Sequence, residues 1–216
     1  MTGAAFLLLA LALVAAAGDW IAVERGPKAL EYLCKPLTLA LLLATALALH
    51  PADDGVRTWF VIALALCLLG DVFLMLPQDL FVPGLASFLL GHLAYVGGFL
   101  SDGVVTSRLG IGILVVTVAI AAIGTTILRF VKAGPEPAMA GPVTGYMLVI
   151  SVMVACAIGV GSPLAIVGAG LFYASDSLIA WNRFVSADES GPTAHPRLAI
   201  MTTYHLAQVG LVLSLI

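Results

Sequence analysis

The chain has 216 residues, of which 62% are hydrophobic and only 10% are charged. Too few polar side chains are present to cover a water-soluble surface, so the composition predicts an integral membrane protein. A helical crossing of the bilayer takes about 20 apolar residues, which leaves room for roughly seven or eight spans and no separate soluble domain. The net charge of -3, with scattered lysines and arginines, argues against nucleic acid as a partner.

Interruptions by proline, glycine and charged residues divide the apolar sequence into eight predicted helices. These predicted helices span residues 3–23, 34–50, 58–76, 83–100, 109–130, 141–159, 162–182 and 198–216. The apolar runs are continuous rather than alternating, which favours helices over the strands of a membrane barrel. We therefore expect an all-α fold, a polytopic bundle of eight transmembrane helices that forms one membrane domain over residues 1–216.

Basic residues are distributed unequally between the two sets of loops. Seven of the nine lysines and arginines lie in or beside the loops after the first, fifth and seventh predicted helices, whereas Arg57 and Arg108 lie on the other side. The positive-inside rule then places both termini outside and these odd-numbered loops in the cytoplasm. We expect a location in the bacterial inner membrane.

The sequence also contains a weak internal repeat. Three pairs of segments recur in the same order, at offsets of 106, 105 and 113 residues: Pro36-Leu37-Thr38 with Pro142-Val143-Thr144, Asp71 with Asp176, and His92-Leu93-Ala94 with His205-Leu206-Ala207. Four helices in each half restore the same orientation, so the halves, about 1–105 and 106–216, would be related by an axis along the membrane normal.

Two aspartates, Asp71 and Asp176, lie inside apolar runs. An aspartate at the centre of a transmembrane helix costs about 2.5–3.5 kcal/mol on insertion scales, and such residues usually face a bundle interior or a wet cavity. Each carboxylate could simply bond to a polar partner or relay protons in a transporter. Because the repeat gives both the same depth in the cytoplasmic half, we expect them to meet in one cavity as an acid–base pair.

Other polar residues could either pack the helices or line that cavity. Lys35 and Arg183 are either anchors at helix ends or cations for a phosphate or carboxylate. The fourth helix has a stripe that favours either close helix packing or cavity lining, formed by Gly84, Phe88, Gly91, His92 and Tyr95. The last helix has a similar cluster of Tyr204, His205 and Gln208. The spacing of histidines and cysteines indicates no metal site.

Several short motifs occur in order along the second to eighth predicted helices. They are Lys35-Pro36-Leu37-Thr38, Gly70-Asp71, the spaced set from Gly84 to Tyr95, and the segment from Ser175 to Phe184. Together they resemble the motifs of the YhhN-like lysoplasmalogenase family of multi-spanning membrane proteins. The resemblance implies hydrolysis of the vinyl ether bond of a lysophospholipid in the membrane, giving a fatty aldehyde and a glycerophospho-base, without a metal or organic cofactor.

The chemistry of this reaction suits two carboxyl groups. Vinyl ethers hydrolyse by protonation on carbon, and water then captures the oxocarbenium ion, a problem that glycosidases solve with two carboxyls. We expect Asp71 and Asp176 to be catalytic, with either as the acid. The expected substrate-binding residues are Lys35 and Arg183 for the phosphate, and Gly84, Phe88, His92, Tyr95, Asn182, Tyr204, His205 and Gln208 around the chain, the water and the ether oxygen.

Two other classes use paired acids within the membrane. A proton-coupled transporter of a small solute or lipid fits a duplicated bundle equally well. An intramembrane aspartyl protease fits less well, because its Gly-x-Gly-Asp motif is replaced here by Leu68-Leu69-Gly70-Asp71 and because Asp176 follows Ser175 rather than a tyrosine. The oligomeric state is left open by the sequence.

Overall fold

The computed structural model describes the backbone of residues 1–186 and 194–216, and the side chains of these ranges except those of 194 and 195. The chain forms eight main helices and no strand in these ranges. The helices are α1 Gly3–Arg25, α2 Lys28–Ala48, α3 Asp54–Met75, α4 Phe81–Asp102, α5 Thr106–Ala133, α6 Ala140–Val160, α7 Pro163–Phe184 and α8 Ala194–Leu213. A short 3-10 turn, Pro137–Met139, precedes α6.

Most of these helices have the properties of bilayer-crossing segments. Of the eight helices in the described ranges, α1 to α7 are long and apolar enough to span a membrane. Large hydrophobic side chains such as Val14, Leu114 and Val118 are 60–70% exposed, as expected for a surface that faces lipid. The chain is an integral membrane protein, and the predicted all-α polytopic bundle is confirmed.

Consecutive helices pack against each other as hairpins. The closest pairs are α1 with α2, α3 with α4, α5 with α6 and α7 with α8, and the short connections make each pair antiparallel. Helix α8 also contacts α1 and α2, which brings the end of the chain back to its beginning. Each predicted half therefore contains two hairpins, and the internal repeat stays a prediction.

Several helices begin earlier than the sequence predicted, and α2 and α3 show the reasons. Helix α2 starts at Lys28 rather than at residue 34, because Glu31 in its first turn is buried and paired with basic side chains. Glu31 accepts a hydrogen bond from Arg197 Nη2 at 2.6 Å and lies 3.2 Å from Lys28 Nζ. Helix α3 starts at Asp54 because the preceding Asp53 caps its first turn, a role that short polar side chains commonly have.

Glycines permit the close approach of α3 and α4. A methyl group at Gly84 would lie 2.6 Å from Leu74 Cδ2, and one at Gly91 would lie 2.9 Å from Cys67 Sγ. These distances are shorter than van der Waals contact, so the two glycines of the predicted stripe are helix-packing residues. The other members of the stripe, Phe88, His92 and Tyr95, lie on the same face of α4 and are buried in the bundle.

Candidate functional site

The polar and ionisable side chains gather toward one end of the bundle. Asp71 lies four residues before the end of α3, Asp176 lies eight residues before the end of α7, and Lys35 lies two turns into α2. Because neighbouring helices are antiparallel, the ends of odd-numbered helices and the beginnings of even-numbered ones share a face. Both aspartates therefore lie in the same half of the bundle, as the sequence analysis expected.

Asp71 is held by a cation and a hydroxyl group. Its side chain is 2% exposed, and Lys35 Nζ, on a side chain that is 7% exposed, lies 3.4 Å from Asp71 Oδ1. The hydroxyl of Tyr204 donates a hydrogen bond of 2.7 Å to Asp71 Oδ2. Both carboxylate oxygens thus have partners, and the buried negative charge is balanced by a buried positive one.

Asp176 has a different environment. Its Oδ2 accepts a hydrogen bond from the hydroxyl of Tyr146, and His92 Nε2 lies 3.7 Å away, beyond hydrogen-bond distance. Among the described side chains, His92 is the only basic group within 4.0 Å of this carboxylate. The two aspartates therefore differ in that Asp71 has a lysine partner and Asp176 has neutral hydrogen-bonding surroundings.

A pocket with about 700 Å³ of empty space, counting its open mouth, reaches Asp176. The described residues that line it are Leu74, Phe81, Leu85, Phe88, Ile123, Gly124, Ile127, Val143, Tyr146, Met147, Ile150, Tyr173, Asp176, Ser177, Ile179, Ala180 and Phe184. This lining includes Asp176 but not Asp71, and it is mostly apolar.

One wall of the pocket is an irregular turn of helix α5. Residues Ile120–Gly124 form a π-helical turn, and Ile123 and Gly124 from this turn line the pocket. Turns of this kind interrupt α-helices frequently at functional sites. The turn gives α5 a role in shaping the pocket.

A layer of aromatic rings connects the pocket to the surroundings of Asp71. Phe88 lines the pocket and also packs edge-to-face on Tyr204, the partner of Asp71, at 5.8 Å between ring centroids. Phe172 packs between His92, at 4.6 Å, and Tyr204, at 5.3 Å. The two carboxylates therefore lie at opposite ends of a series of ring contacts, which runs from His92 beside Asp176 through Phe172 to Tyr204 beside Asp71.

Several buried polar side chains adjoin this layer. The hydroxyl of Tyr95 donates a hydrogen bond of 2.6 Å to Gln208 Oε1, and both side chains are completely buried. Within the described residues, both ring nitrogens of His92 and the amide nitrogen of Gln208 have no hydrogen-bond partner. Buried polar groups of this kind commonly bind ordered water, so the region between the carboxylates is suited to hold it.

Arg183 lies at the mouth of the pocket. Its guanidinium stacks 4.0 Å from the centroid of Phe81, which lines the pocket, and forms ion pairs of 3.2 Å with Asp79 and Glu136. The hydrogen bonds from Arg183 hold the pKa of Asp79, in the loop before α4, below its usual value. The neighbouring Asn182 is partly exposed and is not among the described residues that line the pocket.

His205, the remaining predicted site residue on α8, faces helix α1. His205 is 1% exposed, and its Nδ1 accepts a hydrogen bond of 3.1 Å from Trp20 Nε1. It adjoins Tyr204 in sequence but is not among the described residues that line the pocket.

Sequence reasoning missed Tyr146, the hydrogen-bond partner of Asp176. The signal was a single tyrosine within the apolar helix α6, since a buried tyrosine hydroxyl normally needs a polar partner. The choice of partner could not be read from the sequence, because Tyr146 and Asp176 lie on different helices, 30 residues apart.

Comparison with known proteins identifies the family. The family model described as the YhhN family matches residues 30–215. The chain belongs to the YhhN family. The predicted resemblance is thereby confirmed, and the matched region includes both aspartates and every residue of the predicted site. No solved structure matches the chain.

Relatives within the YhhN family cover much of the chain. It is 36% identical to a Mycobacterium bovis protein named lysoplasmalogenase over 159 residues, which are 71% of this chain and 60% of that protein. It is 34% identical to the human protein named lysoplasmalogenase TMEM86B over 181 residues, 84% of this chain and 72% of that protein. The match therefore spans about 60% of the length of the mycobacterial relative.

Proposed function

We propose that this YhhN family protein hydrolyses the vinyl ether bond of a lysoplasmalogen-type lysophospholipid, releasing a fatty aldehyde and a glycerophospho-base. The observation that carries the proposal is the position of Asp176 in a pocket whose lining is mostly apolar. The names of the mycobacterial and human relatives support the substrate class.

The pocket suggests how such a substrate would bind. The alkenyl chain would occupy the apolar lining from α3 to α7, with its ether group beside Asp176 and Tyr146. The head-group phosphate would lie at the mouth near Arg183, in place of its exposed partners Asp79 and Glu136. Because the side chain of Arg183 is 27% exposed and that of Lys35 only 7%, we favour Arg183 over Lys35 for the phosphate.

We assign the proton-donating role to Asp176, because it lines the pocket. Its carboxyl group would give a proton to the vinyl carbon remote from oxygen, and the double-bond electrons would form the new C–H bond. The resulting oxocarbenium ion would be stabilised by the carboxylate left behind. Water would add to the cationic carbon and return a proton to Asp176. The hemiacetal would then release its alkoxy oxygen as an alcohol and its carbon as an aldehyde, so that one water is consumed.

Asp71 has a supporting role in this proposal. With its partners Lys35 and Tyr204, it would keep the polar side chains next to the aromatic layer fixed, and it would orient water together with Gln208 and His92. Two carboxyl groups would thus take part, one in proton transfer and one in positioning water. Positioning of this kind contributes to rate because a correctly oriented reactant avoids an entropic cost in the transition state.

We also propose that the pocket opens toward the cytoplasm of a bacterial cell, with the protein in the inner membrane and both termini outside. The support is the positive-inside rule, since basic residues cluster at the end of the bundle where the pocket opens. Arg25, Lys132 and Arg183 all lie at or near the ends of odd-numbered helices on that face.

The direct test uses purified protein in detergent and three lysophospholipids that differ only in a vinyl ether, alkyl ether or ester linkage at the chain. We expect aldehyde release from the vinyl ether alone. Asp176→Asn should lower turnover by about 100-fold or more, the usual contribution of a proton-transferring group. Asp102→Asn, at the exposed end of α4, is the matched control and should keep normal turnover.

Two results would contradict the proposal. Normal aldehyde release by a folded Asp176→Asn variant would refute its catalytic role. Substrate-dependent proton flux in liposomes, without any product, would instead support the proton-coupled transporter.

A further inference from the structure

A third acid, Asp19 on helix α1, is buried in the bundle and has no part in the proposed reaction. Its side chain is 0% exposed, and neither carboxylate oxygen has a hydrogen-bond partner among the described residues. It lies six residues, or about 9 Å, before the end of α1. The family match begins at residue 30, so this acid lies outside the region that defines the family.

Asp19 lies near the segment of α2 that contains the lysine partner of Asp71. Helices α1 and α2 are in close contact here, since a methyl group on Gly18 would lie 2.9 Å from Cys34 Sγ. On the other side of Asp19, Trp20 Nε1 donates a hydrogen bond of 3.1 Å to His205 Nδ1 on α8. Asp19 therefore lies where α1 meets α2 and α8, next to the part of α2 that carries Lys35 directly after Cys34.

Polar side chains continue along α2 to the end of the bundle. Glu31, in the first turn of α2, is bonded to Arg197, whose side chain is 35% exposed, and to Lys28, whose side chain is 62% exposed. Glu31 and Lys35 are one helical turn apart on α2, so polar groups lead from the exposed surface into the part of the bundle that holds Lys35.

His205 adds an unpartnered nitrogen on the α8 side. Because its Nδ1 accepts a hydrogen bond from Trp20, the neutral ring carries its proton on Nε2, and that atom has no partner in the described part of the chain. An unpaired buried polar atom costs about 1–3 kcal/mol, a cost that bonding to ordered water removes.

We infer that Asp19, His205 and Lys35 line a narrow water path between α1, α2 and α8, which supplies Asp71 from the surface at Glu31 and Arg197. The path is distinct from the apolar pocket, which lies among α3 to α7. This inference rests on the proposed function for its purpose. Hydrolysis consumes one water in each turnover, whereas a bound alkenyl chain would fill the pocket and block entry from that side.

The path can be tested without any substrate. X-ray radiolysis of the full-length protein in detergent generates hydroxyl radicals from water, and these oxidise the side chains next to it. Cys34 lies against Gly18, the residue before Asp19, and is 8% exposed, whereas Cys156, on α6, is 4% exposed and serves as the matched control. We expect Cys34 to be oxidised several-fold faster than Cys156, even though both thiols are buried.

Two substitutions at one position test the role of Asp19. Asp19→Leu places an apolar group in the path, so Cys34 oxidation should fall to the rate of Cys156. In the hydrolysis assay its kcat should fall several-fold, and its KM for the vinyl ether lipid should stay unchanged because the pocket is untouched. Asp19→Asn keeps a polar group and should retain most of both signals.

Several outcomes would overturn the path. One is equal oxidation of Cys34 and Cys156 in the native protein, a comparison that holds even if a variant fails to fold. Another is undiminished Cys34 oxidation in folded Asp19→Leu, whatever its kcat. Fast, Asp19-dependent oxidation of Cys34 in a protein that releases no aldehyde would support the path and refute the proposed function alone.

Discussion

The buried pair of Lys35 and Asp71 makes a strong prediction about stability. Lys35→Met keeps the approximate volume of the side chain but leaves the Asp71 carboxylate without its cation. We expect this change to destabilise the fold substantially. A second change, Asp71→Asn, should restore most of the loss, because the amide needs no counter-charge.

The magnitude follows from the geometry. Two unit charges 3.4 Å apart attract by roughly 5 kcal/mol at an effective dielectric constant of about 20. Removal of one partner from a buried pair costs about 3–5 kcal/mol in measured cases, because the remaining charge is left uncompensated. The side chains are only 7% and 2% exposed, so screening by solvent reduces this value little.

The assay is thermal unfolding of purified protein in detergent, followed by the hydrolysis assay at a temperature where every variant is folded. Lys35→Met should lower the unfolding midpoint by roughly 10 °C, given a shift of about 2–4 °C per kcal/mol for chains of this size. Lys132→Met, at an exposed lysine of α5, is the control and should change it little. The double variant Lys35→Met/Asp71→Asn should be nearly as stable as the native protein but should hydrolyse poorly.

The results that would refute this reasoning are specific. If Lys35→Met unfolds at the native midpoint, the ion pair does not contribute as its geometry indicates. If the stable double variant keeps full turnover, Asp71 has no role in the reaction. The first result would refute the stabilising role of the ion pair, and the second would refute the catalytic role of Asp71.

Two further predictions concern the packing and the pocket. Gly112→Ala should destabilise the fold by about 1–3 kcal/mol, because the methyl group would lie 2.7 Å from the Ala155 carbonyl oxygen. Gly110→Ala, half a turn away, is the control and should leave the stability unchanged, because no atom lies within 4 Å of the added methyl group. Equal unfolding midpoints for the two variants would contradict this packing. Tyr146→Phe removes the hydroxyl donor to Asp176 and should lower kcat by about tenfold or more, since a lost hydrogen bond to a charged group costs about 1.5–3 kcal/mol. An unchanged kcat would show that this contact serves packing alone.

Much of the fold was accessible from the sequence because membrane helices carry a strong signal. A span must be apolar along about 20 residues, and its ends are marked by glycine, proline or charge. The break between α6 and α7 illustrates this, since Gly161 adopts a positive φ of 85° and Ser162 caps the next helix. The start of α2 was less accessible, because the partner that neutralises Glu31 lies 166 residues away.

The site could be predicted only in part from the sequence, because its contacts also join residues that are far apart in the chain. Asp71 and Asp176 stand out because a charge in an apolar run is costly and therefore rare. Their partners do not stand out. The sequence contains no sign that Lys35 lies beside Asp71 rather than at a head group, or that a π-helical turn of α5 forms a wall of the pocket, because both depend on how distant helices pack.

The different partners of the two aspartates give a physical basis for their proposed division of roles. At the offset that relates the predicted repeats, Lys35 corresponds to Gly141, so the second half has no lysine at the position equivalent to that of the Asp71 partner. A carboxyl group without a counter-ion at the end of an apolar pocket is suited to carry a proton to carbon, whereas one paired with lysine is suited to remain charged and hold water. If the roles arise in this way, a lysine placed beside Asp176 should abolish proton transfer even though both carboxyl groups are kept.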